Sequence, residues 1–217
     1  MIYQSERPVF DLYWRAADAS QSEEPLLVDE YDKNPGSISP DGKTLAVSRA
    51  VPRGNVIWLV PLDAGEPTSY LETQFSLVHP SFSPDGGWMA YDSDESGRRE
   101  VYLQSYPDPA IGRVQVSTDG DTEPMWTKGG VELVYRNGDA MMATKVDLST
   151  GEANTPHRLF TGRYVGWSSE TGNTWSYDVT PDGSRFLLIK TPAESAPRRI
   201  NIVVNWFEEL RVKVGSN

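Results

Sequence analysis

The chain has 217 residues, enough for one domain with a sizeable core. It carries 20 Lys and Arg against 31 Asp and Glu, and the net charge of −11 argues against a nucleic-acid partner. The lack of cysteine excludes disulfides and thiolate catalysis, which leaves His79 and His157 for acid–base work near neutral pH. No apolar run is long enough to span a bilayer, and the first residues lack the features of a targeting segment, so we expect a cytoplasmic chain.

A four-residue corner recurs along the chain and indicates a repeated unit. It reads Ser39-Pro40-Asp41-Gly42 first, returns at residues 83–86 and 180–183, and has a divergent copy at residues 127–130. The spacings are 44, 44 and 53 residues. Pro presets the backbone for a tight turn, Asp suits the next position and Gly closes it, so each copy predicts a hairpin corner. A repeat of this length made of short strands is typical of a β-propeller.

Strands are predicted around the corners in chain order, from runs of β-formers bounded by Gly, Pro and Asp. The last strand of each complete group is more polar, as expected for the outer edge of a blade. The predicted strands are residues 2–5, 10–14 and 25–28; 36–38, 44–48, 56–60 and 68–71; 80–82, 88–91, 101–104 and 114–116; 124–126, 132–135, 141–144 and 158–160; and 176–179, 185–189 and 201–204.

The two ends of the chain predict a truncated or open ring. The fold class is an all-β propeller of four-stranded antiparallel blades, with about four and a half blades forming one domain. The partition is residues 1–33, a partial blade without its first strand, then blades at 34–78, 79–122 and 123–174, and residues 175–217, an incomplete blade with a cap at 206–210. Unpaired edges tend to associate, so we expect them to pair with a second copy or with an upstream segment.

Two stretches around the corners resemble the WD-like repeats of TolB-type propellers. They are residues 37–46, which read SISPDGKTLA, and residues 81–91, which read SFSPDGGWMAY. The ending Asn205-Trp206-Phe207-Glu208-Glu209-Leu210 is similar to that of propellers found after bacterial Ser/Thr kinase domains. This resemblance implies sensing or protein docking, with catalysis elsewhere. The chain itself has no kinase signature, neither the Gly-rich nucleotide loop nor the catalytic loop.

A candidate catalytic and metal site follows from the register of the repeats. Aligning the corners places Pro35, His79, Glu123 and Ser176 at matching positions of successive first strands, which converge at the mouth of the central channel. His79 and Glu123 are the catalytic candidates, and together with Asn34 and Asp121 they are the candidates for holding a divalent cation, Ca²⁺ or Zn²⁺. The alternative is that His79 and Glu123 only solvate the rim of the channel.

An aromatic insertion at residues 164–175 is a candidate recognition loop. Tyr164, Trp167 and Trp175 lie among Gly and Ser residues, and Trp and Tyr are enriched in binding hot spots. The alternative is that these rings pack between blades, Trp175 as the start of a strand.

Three functions remain open from the sequence. The first is a non-catalytic scaffold that binds a protein or small ligand through its channel face. The second is a metal-dependent hydrolase of activated esters, lactones or phosphoesters that uses His79 and Glu123. The third is an assembly module that forms homo-oligomers through its open blade edges.

Overall fold

A computed structural model of the chain describes residues 1–6, 9–127, 132–166, 174–180 and 182–190. Seventeen strands lie in these residues and form five antiparallel sheets, called blades 1 to 5. Blade 1 is β1 (Ile2–Glu6), β2 (Phe10–Trp14) and β3 (Glu24–Leu27); blade 2 is β4 (Lys33–Ile38), β5 (Thr44–Val51), β6 (Gly54–Pro61) and β7 (Thr68–Leu71); blade 3 is β8 (Leu77–Phe82), β9 (Trp88–Ser93), β10 (Glu100–Ser105) and β11 (Arg113–Gln115); blade 4 is β12 (Asp121–Trp126), β13 (Glu132–Asn137), β14 (Ala140–Lys145) and β15 (His157–Thr161); blade 5 is β16 (Tyr177–Val179) and β17 (Phe186–Leu188).

Each blade is a meander in which every strand pairs with its sequence neighbour. The first strands β4, β8 and β12 also contact one another, so they form the inner wall of the propeller. The outer strands β7, β11 and β15 are largely exposed, which agrees with their polar sequences. The all-β fold of antiparallel blades predicted from the repeats is confirmed, and the sheets formed by the described residues are open, as predicted. The predicted strand at residues 201–204 and the cap at 206–210 lie outside the described residues.

The corners have the hydrogen bonds that their residue types favour. Ser83 Oγ donates to Asp85 Oδ1 at 2.6 Å and accepts from Trp88 N–H at 2.9 Å, while Gly86 N–H donates to Ser83 C=O at 3.0 Å. Gly86 has a φ of 73°, which a glycine adopts without steric cost. The corners at residues 39–42 and 180–183 have the same serine or threonine to aspartate bond. The corner aspartates are therefore turn residues.

The apolar core lies between the blades. One cluster joins blades 3 and 4 through Trp88, Trp126 and Tyr135, and comparable clusters join the other neighbouring blades. Complete burial of one Val, Leu, Ile, Phe or Met side chain in such a cluster contributes about 1.5 to 3 kcal/mol. Among the residues described, none forms a helix with the length and hydrophobicity that a bilayer crossing requires.

A row of polar residues connects each blade to the next. The row recurs every 44 residues, on the strands β1, β5, β9 and β13, although its four side chains differ in chemistry. Each bonds a residue in the first strand of the following blade or just before it. The four bonds are Gln4 Nε2 to Lys33 C=O (2.8 Å), Ser48 Oγ to Leu77 C=O (3.0 Å), Glu123 N–H to Asp92 Oδ1 (3.2 Å) and an Arg136 guanidinium N–H to Ser176 Oγ (2.8 Å).

Candidate functional site

His79 and Glu123 have the same unusual backbone conformation in neighbouring blades. Their φ angles are 54° and 60°, and each directly precedes a proline at a point where the first strand changes register with the second. Left-handed residues other than glycine cost about 1 to 3 kcal/mol and persist only where the surroundings hold them. The equivalent positions inferred from the repeat spacing therefore have equivalent geometry.

Asp92, in the second strand of blade 3, holds both of these residues. Its Oδ1 lies 2.6 Å from His79 Nδ1 and accepts the backbone N–H of Glu123. Its Oδ2 accepts from Arg99 at 3.1 Å. His79 and Asp92 are entirely buried, so their contact lies in a region of low dielectric, where the loss of a polar partner is costly. Asp92 is not among the residues predicted for the site, although its place in the 44-residue row is visible once the register is known.

Glu123 joins blade 4 to the segment that begins blade 5. Its Oε2 accepts from both the backbone N–H and the hydroxyl of Ser176, each at 2.7 Å. Its backbone C=O accepts the hydroxyl of Tyr177 at 2.7 Å. Burial raises the pKa of Tyr177 well above the usual phenol value, so this hydroxyl stays a donor. The carboxylate of Glu123 thus faces an inter-blade seam.

The structure does not bring the metal candidates together. Asn34 Oδ1 accepts from Gln4 at 3.1 Å, between blades 1 and 2. Asp121 pairs with Asn137 across blade 4, and burial raises the pKa of its carboxyl. Within the described ranges, no three His, Asp or Glu side chains form a group that could hold a metal ion. This arrangement does not fit a Ca²⁺ or Zn²⁺ centre built on these four residues.

The aromatic candidates separate into different environments. Trp175 Nε1 donates to Pro124 C=O at 3.2 Å, and its ring lies 5.3 Å from that of His79. Trp175 comes just before β16 and not within it. Tyr164 packs edge-on against Phe160, with ring centroids 6.2 Å apart. Trp167 lies outside the described residues.

A cavity of about 550 Å³ lies along the first strands of blades 2, 3 and 4; we call it the channel cavity. Phe82 and Trp126 form part of its wall, and Trp175 brings the segment before blade 5 to it. None of the described residues that line it is charged. They are Gly36, Ser37, Ile38, Pro40, Ser81, Phe82, Ser83, Pro84, Met125, Trp126 and Trp175.

Comparisons with known proteins give the fold and no established activity. No model of a known protein family matches the chain. An uncharacterized protein of Agrobacterium fabrum is 24% identical over 162 residues, which cover 70% of this chain and 53% of the relative. The chain thus spans about half the length of the curated relative it matches.

Solved structures with the same fold include two TolB proteins and an enzyme. A putative TolB from Agrobacterium tumefaciens has a TM-score of 0.65 and 18% identity, covering 88% of this chain and 70% of that one. TolB from Acinetobacter baumannii has a TM-score of 0.64 and 16% identity, covering 85% of this chain and 44% of that one. An oligogalacturonate lyase in complex with manganese has a TM-score of 0.57 and 18% identity, covering 85% of this chain and 54% of that one. The resemblance to kinase-associated propellers stays a prediction. The chain has the fold of the TolB-like β-propellers.

Proposed function

We propose that this chain is a non-catalytic binding scaffold that takes an uncharged, largely apolar group into its channel cavity. The observation that carries the proposal is the wall of that cavity, which includes the aromatic residues Phe82, Trp126 and Trp175. The group belongs either to a small molecule or to a side chain of a protein partner, since both present the same chemistry to the cavity.

The size and lining of the cavity support this ligand class. Sites for small molecules usually have volumes of about 300 to 1,000 Å³ and mostly apolar walls with a few polar groups. The channel cavity falls in this range, and Ser37, Ser81 and Ser83 supply its hydroxyl groups. A charged ligand would lose its hydration here without meeting an opposite charge, which is strongly unfavourable.

The burial of His79 and Glu123 favours binding over hydrolysis. Both residues are 0% exposed: Asp92 engages His79 within blade 3, and Ser176 engages Glu123 between blades 4 and 5. A general base or a metal ligand must reach the substrate or a bound water. Enzymes among the structural neighbours share only the fold at these identities, so they lend no activity to this chain.

Titration with an uncharged aromatic dye, Nile red, tests the proposal. We expect saturable binding that changes the fluorescence of Trp126 and Trp175. Ile38 lines the cavity and is 47% exposed, so Ile38→Asp introduces a charge there at little cost to folding. It should weaken binding about tenfold or more, whereas Ile111→Asp, at a residue 78% exposed outside the cavity, should not. Equal binding by both variants would contradict the proposal.

A second arm separates the two sources of the ligand group. A neutral peptide with one central tryptophan and blocked ends should compete with Nile red if the natural ligand is a partner side chain. Failure of such peptides, with retention of dye binding, would favour a small molecule.

A panel of chromogenic esters and phosphoesters, with and without chelator, should show no turnover. Chelator-sensitive turnover that Glu123→Gln abolishes would establish the hydrolase instead.

The edge of blade 1 favours self-assembly as a second function. Among the described strands, β1 pairs only with β2, so its other edge presents backbone groups that another strand can pair with. We expect the mean mass in sedimentation equilibrium to rise with concentration. A monomer at every concentration would rule out this function.

A further inference from the structure

A second cavity, of about 330 Å³, lies between blades 3 and 4; we call it the inter-blade pocket. One wall is the segment that follows β11, and the other is a face of blade 4. Unlike the channel cavity, this pocket has charged residues in its lining. The lining residues that carry the argument are Asp121, Tyr135, Met142 and Arg158.

These four side chains share one face of the blade 4 sheet. Tyr135 pairs with Met142, and Met142 pairs with Arg158, so the three residues form a row across β13, β14 and β15. Asp121 pairs with Asn137, which is two residues beyond Tyr135 and so points to the same face. The sheet therefore presents a carboxylate, a phenol and a guanidinium to one pocket, with the Met142 thioether between them.

Tyr135 brings an unused polar group to the pocket. The residue is 1% exposed, and its hydroxyl forms no hydrogen bond with a residue that the structure describes. The equivalent tyrosine of blade 3, 44 residues earlier, is Tyr91, and its hydroxyl accepts from Arg113 Nε at 3.1 Å. Tyr135 lines the pocket, so its hydroxyl can donate a hydrogen bond to a bound group. A ligand in the pocket would supply the partner that Arg113 supplies in blade 3.

The two charged residues in the lining have no ionic partner among the described residues. Asp121 is 4% exposed and forms no ion pair within the described part of the chain, although Asn137 and Ser117 hydrogen-bond its carboxyl. Nearby Glu100 adds to the negative potential, although Arg98 and Ser117 already engage its own carboxylate. A buried carboxylate without a cation is unfavourable, so this end of the pocket suits a positively charged group.

Arg158 provides the opposite charge at the other end. It is exposed, lies on β15, and likewise forms no ion pair with a described residue. Three strand spacings separate Asp121 from Arg158, about 14 Å between backbones. Both residues line the pocket and no ion pair joins them, so the pocket has a negative group and a positive group in its lining.

We propose that the inter-blade pocket binds a small zwitterion, a free α-amino acid with an apolar side chain. The ammonium group pairs with Asp121 and bonds the Tyr135 hydroxyl, and the carboxylate pairs with Arg158 in a charge-assisted hydrogen bond. Val116, Ala140 and Met142 provide the apolar surface for the side chain. This site is separate from the channel cavity and does not depend on the function proposed for it.

Isothermal titration calorimetry with L-leucine and its two single-charge halves tests this assignment. The halves are 3-methylbutylamine, which lacks the carboxylate, and 4-methylpentanoate, which lacks the ammonium group. We expect leucine to bind and each half to bind at least about tenfold more weakly, which corresponds to 1.4 kcal/mol or more. No heat of binding with leucine at about 10 mM, or equal affinity for leucine and both halves, would overturn the proposal.

Three variants assign the contacts. Asp121→Asn and Arg158→Gln should each weaken leucine binding about tenfold, and Arg158→Gln should also abolish the preference for leucine over the amine. Tyr135→Phe should weaken binding severalfold. Arg163→Gln, at an exposed residue outside the lining, is the control and should change nothing. If Asp121→Asn fails to fold, leucine binding by Arg158→Gln and the affinities of the two half-ligands for the unchanged protein still test the proposal. Unchanged leucine binding in Arg158→Gln would overturn the assignment.

Discussion

Glu123 and Ser176 connect two blades through a double hydrogen bond. One carboxylate oxygen of Glu123 accepts both the backbone N–H and the hydroxyl of Ser176, each at 2.7 Å, in a seam that excludes solvent. Bonds to a charged acceptor are roughly twice as strong as bonds between neutral groups. A residue that the sequence suggests as catalytic is thus a structural contact at the start of blade 5.

Replacing Glu123 should therefore affect stability. Glu123→Ala leaves both donors of Ser176 without their acceptor, and we expect the free energy of unfolding to fall by about 2 kcal/mol or more. Urea denaturation measures this change. Glu152→Ala, at an exposed glutamate in a loop, should change the midpoint little. Equal midpoints for the two variants would contradict the assigned role.

Asp92 should be the most sensitive polar residue in the seam between blades 3 and 4. Asp92→Asn removes the charge that faces His79 and Arg99 and that accepts the Glu123 N–H. Breaking a buried pair typically costs about 3 to 5 kcal/mol, and we expect a loss in this range. Thermal unfolding and urea unfolding should both give a loss of unfolding free energy in this range. Asp63→Asn, at an exposed position, serves as the control.

Gly36 allows blades 2 and 3 to approach each other. A Cβ atom at this position would lie 2.5 Å from the Pro80 C=O oxygen and 2.7 Å from that of Ala46, and backbone atoms cannot easily move away. Gly36→Ala should therefore destabilise the fold by about 1 to 3 kcal/mol or more. Gly112→Ala is the matched control, because its Cβ would meet only the Trp88 ring at 3.7 Å. Similar melting temperatures for both variants would refute this explanation.

The ionic contacts of Asp29 predict a loss of stability in acid. Burial raises the pKa of this carboxyl, but bonds from Lys33, the Tyr31 N–H and Arg49 outweigh it and lower the pKa overall. A lowered folded-state pKa stabilises the protein above about pH 4 and ceases to do so as the pH falls through the folded value. Asp29→Asn should lower the unfolding free energy at pH 7 and flatten its decline below pH 4. An unaltered acid profile would contradict this contribution.

The sequence alone determined the corners and the strand order. In Ser83-Pro84-Asp85-Gly86 the serine hydroxyl, the aspartate and the glycine act within six residues, so local chemistry is sufficient to specify the turn. The 44-residue spacing then placed His79 and Glu123 at equivalent positions, and their shared backbone conformation agrees with that register. The position of the channel cavity also follows from the repeat, because equivalent first strands converge on one axis.

The tertiary structure decided what these equivalent positions do. Trp175 folds against His79, and Ser176 bonds Glu123, so contacts more than 50 residues away bury groups that the sequence suggests are exposed on a rim. The residues that connect the blades, such as Asp92 and Arg136, differ in side-chain type from repeat to repeat. No local pattern marks them, because each is chosen by the donor or acceptor that the next blade presents. Turn chemistry is local, whereas burial and polar partnership between blades arise only when the blades pack.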